Sequence, residues 1–267
     1  MIGGINYASS QIASVYSKGE QRLADTLTRI ASGKKFQSAA EDMVGFLRAK
    51  GLQADIDGYD EVTKNLTEFK SYTAAAVDTG SSVYESLVEM KDIATKYAAT
   101  TDTDLKAEYV SEFNALKTEV ASMLDNSYVD GVKVTTTGSD LVTVNLDPDA
   151  KGTLELNFTS NANSATIAAF DIAAATDPTT AADVQTEIDN ALSYLSQAKA
   201  YDGIAERQIN LTATIVASKE AVMSMITDID EAEETNNALD QSIRQQAAMS
   251  MMSQANLSRQ AILKLYE

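Results

Sequence analysis

The densest run of potential chemistry is Asp228-Ile229-Asp230-Glu231-Ala232-Glu233-Glu234, five carboxylates in seven residues. Such a run could ligate a divalent cation or pair a general acid with a general base. It lacks the glycine and the ligand spacing of a calcium loop, and it falls inside a helical heptad pattern, so it reads as a solvated helix face. Met249, Met251 and Met252 offer soft sulfur, but without His or Cys in the chain, packing between helices is the simpler use. The sequons at Asn65, Asn157 and Asn210 are expected by chance in a Ser/Thr-rich chain, and Leu66 and Leu211 within two of them hold helix-seam positions. Gly3-Gly4 has no strand–turn–helix context for a phosphate loop. The absence of Cys and His removes disulfides, thiol chemistry, the usual zinc, haem and iron–sulfur ligand sets, and every catalytic triad built on them. Abundant carboxylates alone do not make a hydrolase, since no pair sits in a cleft-forming context. The expectation is a protein with no catalytic residues, no cofactor and no metal site.

Composition points to helices. Hydrophobic residues make up 44% of 267 residues but aromatics only 6%, with no Trp, which favours long helices packed through Ala, Leu, Val and Ile. No apolar run is long enough to span a bilayer, so membrane insertion is not expected. The opening "MIGGINYASSQIASV" has neither the charged n-region nor the unbroken apolar h-region of a cleavable secretory signal. Charge is uneven. Residues 1–50 hold 7 Lys/Arg against 4 Asp/Glu, residues 235–267 hold 3 against 2, and residues 51–234 hold 11 against 33. The acidic middle argues against nucleic acid as a partner, because phosphates would be repelled. The near-neutral ends suit a poorly hydrated setting and the middle suits water.

The elements follow from spacing. "RIASGKKFQSAAED", Arg29 to Asp42, interrupts a long helical N-terminus. Gly33 is a natural helix stop, Lys34 and Lys35 face the negative helix end, Phe36 looks exposed, and Ser38 with Glu41 reads as a capping box opening the next helix. A heptad seam then runs through Tyr59, Val62, Leu66, Phe69, Thr73, Ala76, Gly80, Val83, Leu87, Met90, Ala94 and Tyr97. A helix over Asp104–Leu124 carries the stripe Leu105, Tyr109, Phe113, Leu116, Val120 and Leu124. From Ile204 to Glu267 there is neither Gly nor Pro, which predicts nearly continuous helix with the seam Leu211, Ile215, Ser218, Val222, Met225, Ile229, Ala232, Asn236, Leu239 and Ile243. These rods would form an extended antiparallel bundle or coiled coil. Between Tyr128 and Phe158 the period falls to two in "VKVTTT", "LVTVNL" and "TLELNF", which reads as a β-hairpin cap. Asn161–Ala182 is expected to be irregular and exposed, and Ala182–Lys199 to be a short return helix with Ile188, Leu192 and Leu195. Both termini keep apolar stripes, Ile5, Ala8, Ile12 and Val15 at one end and Leu257, Ala261 and Leu265 at the other, on segments too rich in Ala, Ser and Gln to be stable alone. They read as surfaces awaiting a partner, most economically another copy.

Three stretches in the right order resemble the bacterial flagellin family. "LTRIASGKKFQSAAEDMVGF", Leu27 to Phe46, is similar to the family's N-terminal signature. "SYVDGVKV", Ser127 to Val134, is similar to the start of its β-region, and Ala232 to Leu265 to its C-terminus, notably Gln245-Gln246-Ala247, Gln254-Ala255-Asn256 and Gln260-x-Ile262-Leu263. The resemblance implies a mainly α fold with paired terminal helices and a small β-hairpin region. The implied division is an inner-tube helix and spoke over 1–37, bundle helices over 38–127, hairpin and loop over 128–182, bundle helices over 183–234 and an inner-tube helix over 235–267. The function implied is a short flagellin, without variable outer domains, that polymerises into the flagellar filament for swimming. Its subunit-interface candidates are Ile5, Ile12, Val15, Leu23, Leu27, Ile30, Lys34, Lys35, Phe36, Ile243, Met251, Leu257, Ile262 and Leu265. Its bundle seam is Tyr59, Leu66, Phe69, Leu87 and Met90 with Leu211, Ile215, Val222, Met225 and Ile229. Family partners would be flagellar cap, junction and export-chaperone proteins. Secretion would use the type III channel without a cleaved signal peptide, to an external or periplasmic filament. In "LVEMKDIATKYA", Glu89 stands where receptor-sensed flagellins present an Arg, and that charge reversal weighs against recognition by the innate receptor. The alternatives are the hook–filament junction protein, whose N-terminal motif carries Asp-Pro where this chain has Asp42-Met43, and a coiled-coil adaptor or secretion chaperone.

Overall fold

Helix seams dominate the computed structural model, which describes residues 2–266, with side chains described for all of these except 2–9, 12, 139–141, 259 and 261–266. The helices are α1 (Ile2–Ser32), α2 (Met43–Ala99), α3 (Thr103–Asn126), α4 (Ser164–Ala168), α5 (Ala181–Thr227) and α6 (Glu231–Tyr266). The strands are β1 (Tyr128–Val129), β2 (Val132–Lys133), β3 (Gly138–Asn145) and β4 (Thr153–Phe158). The chain divides into two compact units, Met1–Ala54 with Lys219–Glu267, and Asp55–Ser218. They are called here the terminal unit and the central unit.

In the central unit α2 and α5 run antiparallel, tied by Lys91 Nζ donating to Gln185 Oε1 at 2.5 Å, Thr73 Oγ1 to Asp202 Oδ1 at 3.1 Å, and Lys70–Glu206 at 3.5 Å. The expected α2 seam is buried throughout, with Leu66, Phe69, Leu87 and Met90 fully enclosed and only Tyr59 and Tyr97 half-buried at its ends. On α3, Asp102 caps the first turn by accepting from Asp104 N and Leu105 N, while Phe113, Val120 and Leu124 face inward. One hydrophobic cluster joins α2, α3 and α5 through Val83, Leu87, Phe113, Val120, Val184 and Ile188. A second replaces α3 with the strands, packing Val144, Leu156 and Phe158 against Phe69, Ala76, Tyr194 and Ala198.

The hairpin is therefore a side layer and not a cap. Its inward residues alternate along β4, which places Leu156 and Phe158 on the helices. β3 and β4 pair antiparallel with Val142 opposite Leu156. The smaller β1–β2 hairpin turns on Asp130 and Gly131, both with positive φ (44° and 78°), the arrangement that two-residue hairpin turns require.

Two further expectations are corrected. Asn161–Ala182 is not exposed filler, since Ala162, Ile167, Phe170 and Ile172 are buried in the first cluster. Polar ties hold it there: Asn163 caps α4, Asn163 N donates to the buried Glu187 Oε2 at 2.7 Å, and Lys117 Nζ donates to Phe170 O at 3.0 Å. Nor is the return helix short, because α5 passes Gly203 unbroken and covers 47 residues. That continuity moves the C-terminal seam. The buried phase is set by Val184, Ile188, Ala191, Leu195 and Ala198, and it reaches Ala205 and Thr212, one residue out of step with the expected Leu211–Ile215 series. Leu211 is thus exposed and Ile215 only half-buried, as a one-residue step turns a helix by about 100°.

α2 and α5 approach closely at Gly80, where a β-carbon would stand 2.9 Å from Tyr194 Cδ1. That ring cannot yield: its hydroxyl donates to Val134 O at 2.7 Å and its centroid lies 4.4 Å from that of the tilted Phe158 ring. Burial accordingly pushes the Tyr194 phenol well above its ordinary pKa. Gly80→Ala is expected to destabilise the central unit by about 1–2 kcal/mol despite its better helix propensity, read from urea unfolding followed by circular dichroism.

Candidate assembly surface

The terminal unit is organised by two chain breaks that meet. α1 ends at Gly33, whose φ of 69° lets its N–H donate to Arg29 O at 2.8 Å. The nearly continuous C-terminal helix expected over 204–267 is interrupted at Asp228–Asp230, inside the expected heptad seam. Lys35 N donates to Thr227 O at 2.6 Å and Ile229 N donates to Gly33 O at 3.1 Å, an isolated antiparallel bridge centred on Lys34 and Asp228. Lys34 Nζ reaches Asp228 Oδ1 at 2.8 Å and Thr227 Oγ1 at 3.2 Å, and Lys35 Nζ reaches Met225 O at 3.0 Å. The hydroxyls of Ser224 and Thr227 also donate to Asp228, and together with Lys34 they hold its carboxyl down to about 2. Asp230 then caps α6 by accepting from Ala232 N and Glu233 N. The acidic run is thus a joint and a cap, not a uniform solvated face.

On the other side of the joint the cap differs from expectation. Asp42, not Ser38, opens α2, its Oδ1 accepting from Gly45 N at 2.9 Å. Ser38 and Glu41 close a turn just before it, through Glu41 N to Ser38 O at 3.2 Å. Phe36 is buried rather than exposed, packed edge-on against Phe46 at 6.5 Å. Gly45 makes room for both features, because a β-carbon there would meet the Asp42 carboxylate at 2.3 Å and Phe36 Cε1 at 2.9 Å.

From this joint α1 and α6 run antiparallel, with Arg29 Nη1 3.2 Å from Glu234 Oε1. Further along, a β-carbon at Gly19 would lie 3.5 Å from Gln245 Cγ. Their facing seams are heptads of mostly small or polar residues: Tyr16, Gly19, Leu23, Thr26 and Ile30 against Glu234, Ala238, Gln241, Gln245, Ala248, Met252 and Ala255. Only Thr26 and Ala248 of these are buried, and Gln245 Nε2 is an enclosed donor without an acceptor among the described residues. Leu23, Ile30 and Met252 are half-buried in the seam, but most large apolar residues of the pair point away. Val15, Leu27, Leu239, Ile243, Met249, Met251 and Leu257 are each more than half exposed.

The interface candidates are distributed accordingly. Val15, Leu27, Ile243, Met251 and Leu257 are outward; Leu23 and Ile30 are half-buried in the seam; Lys34 and Lys35 are engaged in the joint; Phe36 is internal. The side chains of Ile5, Ile12, Ile262 and Leu265 lie outside the described residues. The bundle-seam candidates Val222 and Met225 are exposed, Met225 by 77%, and Ile229 is half-buried. The same sequence reading passed over Met43, Val44 and Leu47, an exposed apolar group on the first turns of α2. Their spacing directly after the Asp42 cap was the available signal, since Phe36 and Phe46 occupy the inner side.

Paired terminal helices with outward apolar side chains, joined by a short two-stranded tie, are the features of a structural assembly subunit. Residues 5–135 match the bacterial flagellin N-terminal helical region and residues 185–266 the bacterial flagellin C-terminal helical region. Among individual relatives, a flagellin of Halalkalibacterium halodurans is 26% identical over 90% of both chains, and a flagellin of Listeria monocytogenes 25% identical over 97% of both. Flagellin FljK of Caulobacter vibrioides is 27% identical over 89% of this chain and 88% of its own. The chain belongs to the bacterial flagellin family, and it is a structural subunit of the flagellar filament.

The Asp228 carboxyl lies below its unfolded value, so its stabilisation is present above about pH 4 and is lost as pH falls toward 2. Both Lys34 and Asp228 are substantially exposed, which limits the pair to the scale of a surface ion pair. Asp228→Asn is expected to cost about 0.5–1 kcal/mol locally at neutral pH, seen as faster hydrogen exchange at the Lys35 and Ile229 amides.

Proposed function

We propose that this chain polymerises through the α1–α6 pair and the start of α2, with the outward apolar residues of the terminal unit buried against other copies. The observation that carries this reading is the partial inversion at α1–α6, where mostly small and polar residues line the seam while Val15, Leu27, Leu239, Ile243 and Leu257 face outward. A helix pair of that design is marginal alone and gains most of its burial from neighbours. Charge agrees with the division. The central unit holds 10 Lys/Arg against 27 Asp/Glu, and the terminal unit 11 against 12. Copies of the near-neutral unit can approach one another without net charge repulsion, whereas the acidic one favours separation and solvent.

The subunit is structural and its activity is assembly. It leaves the cell through the flagellar type III channel, meets export-chaperone, junction and cap proteins, and adds to an external or periplasmic filament. Glu89, exposed on α2, replaces the Arg of receptor-sensed relatives and disfavours innate recognition.

A variant lacking residues 1–40 and 235–267 is expected to keep the cooperative helical melting of the central unit and to form no filaments, even after seeding. Filaments from it, seen by negative-stain microscopy, would refute the reading. Assembly of the full chain should also be strongly salt-dependent. Raising ionic strength from about 0.01 M to about 0.15 M shortens the Debye length from about 30 Å to about 8 Å and screens the acidic units from one another. The critical concentration should therefore fall severalfold, measured by sedimentation.

A further inference from the structure

We infer that the methionines of the terminal unit are an oxidation site through which a peroxide blocks assembly. The chain has nine Met and no Cys, His or Trp, so its thioethers are the side chains most open to oxidation. They are unequally placed. In the central unit Met90 is fully buried and Met123 is packed against the first cluster, whereas Met43, Met225, Met249 and Met251 of the terminal unit are each more than half exposed. Exposure decides access, so oxidant reaching the monomer is directed to the face proposed for assembly.

The chemistry is a single oxygen-atom transfer. The sulfur lone pair attacks hydrogen peroxide, the O–O bond breaks, an S–O bond forms, and water leaves after proton transfer. Sulfur is oxidised by two electrons and the peroxide is reduced by two. The product sulfoxide is polar where the thioether was apolar, and burying it against another copy without a donor costs binding energy. Because the fold of the central unit does not involve these residues, the monomer stays folded while its apolar surface is altered. The inference rests on the reading of the terminal unit as the assembly contact.

The test uses the full chain, oxidised as monomer with hydrogen peroxide and then transferred to polymerising conditions. Peptide mass spectrometry should find sulfoxide at Met43, Met225, Met249 and Met251 well before Met90, a result that needs no filament to read. Polymer yield should drop roughly fivefold or more and return after treatment with methionine sulfoxide reductases A and B and a dithiol. The variant with these four residues changed to Leu should assemble and resist peroxide. If it does not assemble, Met249→Leu with Met251→Leu makes the same comparison and should retain part of the resistance. Equal oxidation of Met90, unchanged assembly of the oxidised monomer, or peroxide sensitivity undiminished in the Leu variants would each overturn the inference. Failure of the untreated chain to polymerise would instead count against the assembly reading on which it rests.

Discussion

Two backbone hydrogen bonds, Lys35 N to Thr227 O and Ile229 N to Gly33 O, set the arrangement of the terminal unit. They bring a break near the N-terminus to a break almost two hundred residues later and set the end of α1 beside the start of α6. Once those two points are tied, the antiparallel course of the two helices and the phase of each seam follow from helix periodicity. The Lys34–Asp228 pair and the Ser224 and Thr227 hydroxyls orient that tie. Phe36 anchors its N-terminal arm on Phe46, and Asp230 restarts the second helix.

The two units solve burial differently. The central unit satisfies itself: Phe69, Phe113, Phe158 and Tyr194 are enclosed, and even its long loop contributes Ile167 and Phe170. The terminal unit buries Phe36 and Ala248 as its apolar residues among those described, and it exposes aliphatic side chains along both helices. A helix pair with Gly19, Thr26 and Ala248 at its seam approaches closely but removes little apolar area from water. Such a surface is poorly suited to a solitary monomer and well suited to a polymer. The acidic central unit adds an opposing field, so attraction and repulsion within one chain are segregated rather than mixed.

Some of this is legible in the sequence alone. The α2 seam from Val62 to Ala94 could be read residue by residue, because one long unbroken helix keeps one phase even as its neighbours change from the strands to α3. The strand runs were equally plain from their alternation. The joint at Asp228–Asp230 was hidden by the absence of Gly or Pro, although Asp230 followed by Glu233 is a capping pattern. Asn161–Ala182 looked like filler because its apolar residues follow no helical or strand period, yet Ile167 and Phe170 dock singly on a surface built elsewhere.

Local composition and period by themselves determined that this chain is mainly helical, that both ends are near neutral, that the middle is acidic, and that the family signatures stand in order. Only the tertiary structure decided which face of each C-terminal helix is inside. A heptad pattern admits more than one seam, as exposed Leu211 beside buried Thr212 shows, and the choice was made upstream, where Val184 to Ala198 pack against α2 and β4. The outward position of Leu239 and Ile243 was likewise set at the Gly33–Ile229 tie. Periodicity is local, but phase is fixed wherever a helix is first held by something else.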